Sequence, residues 1–227
     1  MITTVVFDLD DTLYDEVAYC KSGFDAVSEF LADMPEMPSV VRLFDAFWKQ
    51  FTRGNHKKTF NSALEELGIK YEGKLIQKLI EVYRNHIPII ELPQESGDVL
   101  LQLSGKYTLA LLTDGFLPAQ RLKVQALGLE RYLSSIIYTE ELGREFWKPS
   151  PAGFEKLMEA LNARPENMVY VADNEIKDFI APNRLGFVTV QIIRPARLHS
   201  ESSQEPDCRA RYKIRQISQL PALLDRF

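Results

Sequence analysis

Asp8, Asp10 and Asp11 crowd into the stretch VVFDLDDTLYDE, directly behind an apolar run. Such a run has little reason to end in so much negative charge unless something cationic meets it there. Other apolar runs also end in polar groups: Thr113 and Asp114 in LLTDG, Lys148 in WKPSP, and Asp173 and Asp178 in VADNEIKD. Carboxylates brought this close repel one another until a cation is present. Hard oxygen ligands with an open coordination sphere suit Mg²⁺, which also bridges phosphate oxygens. The Thr113 hydroxyl, the neighbouring backbone N–H groups and Lys148 supply donors for a phosphoryl group. The residue types therefore point to a metal site beside a phosphate site.

Those residues share a site only if the fold gathers them. Short β-rich apolar runs recur at Thr4–Phe7, Thr108–Leu112, Ile136–Tyr138, Met168–Val171 and Phe187–Ile192. None alternates cleanly between polar and apolar, the pattern of strands buried on both faces of a parallel sheet. Helical patterns separate them: Asp98–Ser104 closed by Gly105, Pro118–Leu127 closed by Gly128, Phe154–Leu161 and Phe179–Leu185. Strand–helix repetition of this kind predicts an α/β fold with a doubly wound, Rossmann-like parallel sheet. Ligands bind such sheets beyond the carboxyl ends of the strands. The aspartates, Thr113 and Lys148 all follow predicted strands, so one sheet edge collects them. The locally basic DCRARYKIRQ reads as a last edge strand with its connection.

Residues 16–92 interrupt the rhythm. Val17, Cys20, Phe24, Val27 and Leu31 mark one helix with a single apolar face, and Val40, Phe44, Phe47 and Phe51 a second. Phe60, Ala63, Leu64 and Leu67 mark a third, ending at Gly68, and Leu75, Leu79 and Tyr83 a fourth. The organisation expected is an α/β core from residues 1–15 and 93–227, with a helical domain, residues 16–92, inserted after the first strand. Its aromatic stripes read as bundle core.

The four motif segments, in this order and each at a strand end, resemble the haloacid dehalogenase-like superfamily over nearly the whole chain. The insertion resembles that family's small helical cap. The resemblance implies a Mg²⁺-dependent phosphatase acting on a small phosphorylated metabolite, such as a sugar phosphate or a nucleotide-like ester. Asp8 would be the nucleophile and form an aspartyl-phosphate. Asp10 would be general acid, then general base, holding a proton near neutral pH while Asp8 does not. Thr113 would hold the transferred group and Lys148 would neutralise it. Asp8, the Asp10 carbonyl and Asp173 would ligate Mg²⁺, with Asp178 orienting the ligands or Lys148. Asp114 stands where asparagine is frequent and offers chiefly its backbone N–H. Ala172 stands where glycine is common, which fits if the backbone there is not left-handed. In related caps the loop TRGNHKKTF reaches the substrate, making Arg53, Asn55, His56 and Lys57 candidates for leaving-group contacts; an exposed basic loop is the equal alternative. Asp10 argues against carbon–halogen cleavage, because members that break such bonds lack that second aspartate.

Two rivals stay open: a phosphomutase of the β-phosphoglucomutase type, and a binding or regulatory protein that keeps the fold without turnover. A Rossmann dehydrogenase is excluded, since no Gly-rich phosphate loop follows a strand. A net charge of −5 argues against a general nucleic-acid or anionic-membrane binder. No apolar run approaches the length of a membrane helix. Cys20 and Cys208 lack metal-ligand spacing and read as reduced thiols, in line with a cytoplasmic location. His56, His86 and His199 are scattered and read as solvent-facing.

Overall fold

The computed structural model describes residues 1–199 and 201–227. Its frame is a six-stranded sheet in the order β3-β2-β1-β4-β5-β6, with every neighbouring pair parallel. The strands are β1 (Thr4–Phe7), β2 (Thr108–Thr113), β3 (Ser135–Tyr138), β4 (Met168–Ala172), β5 (Val188–Ile192) and β6 (Tyr212–Ile214). All side chains of β1 and β4 are buried, which explains why these strands read as continuous apolar runs. On one face Val6, Ala110, Leu112, Met168 and Tyr170 pack with Phe154, Leu157 and Phe179. Chain order reverses between β1 and β4, so the switch point of the sheet lies where Asp8 and Asp173 emerge.

The chain divides into two compact units, residues 1–17 with 91–227, and residues 18–90. The first holds the sheet with helices α5 (Gln94–Ser104), α6 (Ala119–Ala126), α7 (Ala152–Leu161), α8 (Ile180–Leu185) and α9 (Leu220–Leu224). Helix α5 starts four residues before the predicted Asp98. Gly97 hides its first turn in the sequence, yet Ser96 is buried there and donates to the Leu13 carbonyl at 2.6 Å. Gly105 follows α5 with φ −75°, so that helix ends without a left-handed residue, whereas Gly128 (φ 61°) does turn left-handed behind α6. Ala172 lies within β4 and is not among the positive-φ residues.

The second unit is helical. Helix α1 (Glu16–Ala32) begins in the first unit and runs into it, followed by α2 (Val40–Thr52), α3 (Thr59–Glu66) and α4 (Gly73–Asn85). Phe24 centres its core, with ring centroids of Phe47, Phe51, Phe60 and Tyr83 at 5.5–6.1 Å. His86 is not solvent-facing as expected. Its ring nitrogens lie 2.6 Å from the Tyr83 carbonyl and 3.0 Å from Ser22 Oγ, knitting the end of α4 to α1. Among the described residues, no helix is long and apolar enough to cross a membrane.

Gly23 lies under the Tyr83 ring, where an added Cβ would sit 2.4 Å from Cε2. Alanine normally favours a helix interior by about 1 kcal/mol over glycine. Here overpacking, costing about 1–3 kcal/mol, should win, because neighbouring aromatic rings hem Tyr83 in. Gly23→Ala should therefore lower the urea midpoint. An unchanged or higher midpoint would mean that the ring swings aside freely.

Candidate active site

Asp8 continues β1, its N–H donating to the Val171 carbonyl at 2.9 Å, and the chain then turns sharply. The turn is held by Asp11, which sits at φ 52° and accepts N–H groups from Glu16 at 2.9 Å and Leu198 at 2.6 Å. Such a left-handed position suits a short polar residue that bonds locally.

Lys148 organises the centre. Its ammonium lies 2.6 Å from Asp8 Oδ1, 2.7 Å from Asp178 Oδ1 and 3.0 Å from the Tyr170 hydroxyl. All four residues are buried. Asp178 Oδ2 accepts the Asn174 N–H at 3.0 Å, which fixes the carboxylate from the far side. Asp173 joins this group: Asp8, Asp173 and Asp178 each offer an oxygen within 4.8 Å of the others. Asp173 Oδ2 is buried with no hydrogen-bond donor among the described residues. An orphaned buried carboxylate oxygen inside an all-oxygen cluster fits a hard divalent cation.

Burial pushes the Asp8 carboxyl up and Lys148 pulls it back, leaving it at about 6. Asp173 is pushed up to about 9 by burial and by the charges of Asp178 and Asp8. Burial also disfavours the Lys148 cation, yet Asp178 and Asp8 outweigh this and hold it well above the ordinary range.

Asp10 is set apart from that group. Its Oδ1 accepts from Tyr14 Oη at 2.6 Å and Lys123 Nζ at 2.8 Å, and its Oδ2 from Gln120 Nε2 at 2.9 Å. Burial pushes Asp10 up, but the Lys123 charge and these bonds overcome it and lower the carboxyl below its usual value. This reverses the expected order, in which Asp10 keeps the proton and Asp8 does not. The cause is a lysine that the motifs do not include.

Thr113 ends β2, buried, with Gln120 Nε2 at 2.7 Å from its hydroxyl. Asp114 offers more than its backbone. Its Oδ1 accepts from Thr139 Oγ1 at 2.7 Å and from the Lys148 N–H at 3.2 Å, and Oδ2 lies 3.4 Å from Lys177 Nζ. The side chain thus ties the Lys148 loop to the end of β3, which a view of the position as a mere N–H donor overlooks. Arg53, Asn55, His56 and Lys57 belong to the helical unit. There Arg53 lies 3.9 Å from Glu66, Asn55 donates to Ser62 Oγ at 2.6 Å, the His56 ring meets Phe51 edge-on at 4.8 Å, and Lys57 is exposed.

Gln120, Lys123 and Tyr170 are polar neighbours of the site outside the motif segments, while Lys177 lies within VADNEIKD between its two aspartates. Two of them had a visible signal. Gln120 and Lys123 stand among Ala119, Val124 and Leu127 at three- and four-residue spacings, so the inward face of α6 carries polar residues.

A family model for haloacid dehalogenase-like hydrolases matches residues 2–186, and the chain belongs to that family. It is 28% identical over 215 residues to the glyceraldehyde 3-phosphate phosphatase of Methanopyrus kandleri, covering 91% of each chain. It is 30% identical over 198 residues to the phosphoglycolate phosphatase of Neisseria meningitidis, covering 84% of this chain and 80% of that one. Among solved structures, a putative β-phosphoglucomutase from Thermotoga maritima superposes with a TM-score of 0.70 at 18% identity over 99% of both chains, a likeness of fold.

The raised Asp173 carboxyl makes a pH prediction. In the metal-free native state it keeps a proton up to about pH 9, whereas the unfolded chain releases it near 3.8. The native state therefore binds more protons between those values, and its stability falls as pH rises through them. In a chelator, unfolding free energy should decline between pH 6 and 9 more steeply for the wild type than for Asp173→Asn, by up to about 1 kcal/mol per pH unit. Identical slopes from urea titrations would show that Asp173 is not the proton holder.

Proposed function

We propose that this chain is a Mg²⁺-dependent phosphatase that hydrolyses a small phosphorylated metabolite through an aspartyl-phosphate on Asp8. The observation that carries this reading is the buried Lys148 ammonium, 2.6 Å from the Asp8 carboxylate. Its charge would restrain the nucleophile before reaction and neutralise a phosphoryl group drawn to it. The relatives' names, one for glyceraldehyde 3-phosphate and one for phosphoglycolate, support a small polar monoester as substrate. They also favour hydrolysis over the phosphomutase alternative.

Asp8 and Asp173, with the Asp10 carbonyl and support from Asp178, would hold Mg²⁺. Bound there, it supplies charge neutralisation for the carboxylates and for the phosphoryl oxygens. Thr113, the Asp114 backbone N–H and Lys148 would grip the phosphoryl group. The Asp8 carboxylate would form a bond to phosphorus as the ester P–O bond breaks, and Asp10 would give its proton to the departing alcohol. Asp10 can hold that proton because the incoming phosphate adds negative charge nearby, opposing Lys123. Asp10 would then take a proton from water, whose oxygen attacks the phosphorus, releasing phosphate and freeing Asp8. The helical unit would act as a cap, with Arg53, Asn55, His56 and Lys57 as candidates for leaving-group contacts that supply remote binding energy.

Three measurements test the reading. Phosphate release should need Mg²⁺, vanish in a chelator and return when Mg²⁺ is restored. Asp8→Asn should lower it about a thousandfold or more with the fold retained by circular dichroism, because an amide does not attack phosphorus. With a substrate drawn from a panel of small phosphate esters, one oxygen from labelled water should enter each phosphate released. An isomeric phosphate ester formed with little free phosphate would make the mutase reading right instead.

A further inference from the structure

Lys123 is almost fully buried and belongs to none of the motif segments. Burying an ammonium carries a desolvation cost that only well-made bonds offset. Nζ lies 2.8 Å from Asp10 Oδ1 and 3.7 Å from Glu16 Oε1. One turn earlier on α6, Gln120 is buried as well, and its Nε2 reaches Asp10 Oδ2 at 2.9 Å and Thr113 Oγ1 at 2.7 Å. A primary amide has two N–H donors, so it can make both bonds at once. Tyr14 Oη closes on Asp10 Oδ1 at 2.6 Å.

We propose that Gln120 and Lys123 are positioning residues that hold the Asp10 carboxyl in register with Thr113 for proton transfer to the leaving alcohol. The inference rests on the phosphatase reading and deepens it. Gln120 fixes one Asp10 oxygen relative to the hydroxyl that would grip the phosphoryl group, and Lys123 with Tyr14 fixes the other. The carboxyl is thereby held at both oxygens and cannot turn about its own axis without breaking a bond. Gly115 makes room for this arrangement. It has φ +139°, and a Cβ there would lie 2.7 Å from the Gln120 side-chain carbonyl carbon. The glycine of the LLTDG segment thus serves the glutamine that lies five residues on.

The inference differs from a merely structural role in one measurable way. Protonation of the leaving group matters for an alkyl alcohol and hardly at all for p-nitrophenolate, which departs without it. The ratio kcat/KM stops at the first irreversible step, so it reports on alcohol departure and not on later hydrolysis of the phosphoenzyme. Gln120→Leu and Lys123→Met should lower kcat/KM for the best alkyl phosphate of the panel by about 10- to 100-fold, part of the range general acid catalysis supplies. For p-nitrophenyl phosphate the loss should stay within about threefold, as no proton is then required. Lys123→Arg, which keeps the cation, should recover much of the alkyl activity. If the apolar variants fail to fold, Gln120→Asn, which withdraws the amide by one methylene, carries the same comparison. Equal losses on both esters, or no loss on either, would overturn the inference. A wild type that hydrolyses neither ester would instead bring down the phosphatase reading itself.

Discussion

The structure around the site turns on one buried cation between two buried anions. Lys148 reaches Asp8 and Asp178 at 2.6 and 2.7 Å, and the three come from the segments that follow three different strands, β3, β1 and β4. In water such a pair contributes little; in a dry setting each charge needs the other two. Their mutual dependence constrains the loops: the Lys148 main chain is tied to Asp114, and Asp178 is tied to the Asn174 N–H. A site assembled from segments up to 170 residues apart, Asp8 to Asp178, is thereby held to one geometry.

A second lysine repeats the device. Lys123 lies between Asp10 and Glu16, as Lys148 lies between Asp8 and Asp178. Each ammonium serves one of the two aspartates flanking Leu9, so neighbours only two residues apart in DLD sit in separate electrostatic settings. Burial, with Asp178 adding to it, pushes Asp8 up to about 6 against the pull of Lys148, while burial of Asp10 is overcome by Lys123 and three hydrogen bonds. Two carboxylates with different surroundings are what an acid–base division of labour requires.

The sheet was legible because doubly buried strands declare themselves as apolar runs, and the strand-end polar groups follow from parallel topology. Helix α5 was legible only in its second half, since Gly97 reads as a break where tertiary packing of Ser96 and Val99 overrides propensity. Lys148 and Asp178 were found through their motif segments, while Lys123 was not, because most lysines are surface charges and nothing local marks this one except the face of α6 it occupies. The Asp10 environment was misjudged for the same reason. A carboxyl's proton affinity is set by groups that only the fold brings near, and Lys123 lies 113 residues from Asp10 in sequence.

The charge balance of the centre bears on the metal. Asp8, Asp173 and Asp178 face Lys148, three carboxylates against one ammonium within the buried group. The deficit falls on Asp173, whose Oδ2 has no donor among the described residues and whose carboxyl is driven up to about 9. Lys177 lies near, at 3.4 Å from Asp114 Oδ2, and lowers both Asp8 and Asp173, though not enough to hold Asp173 ionised. What remains is a demand for about two positive charges at these carboxylate oxygens. A monovalent ion would leave one carboxylate charge uncompensated, whereas the small divalent ion proposed above would meet the demand and would keep coordination positions open for a phosphate.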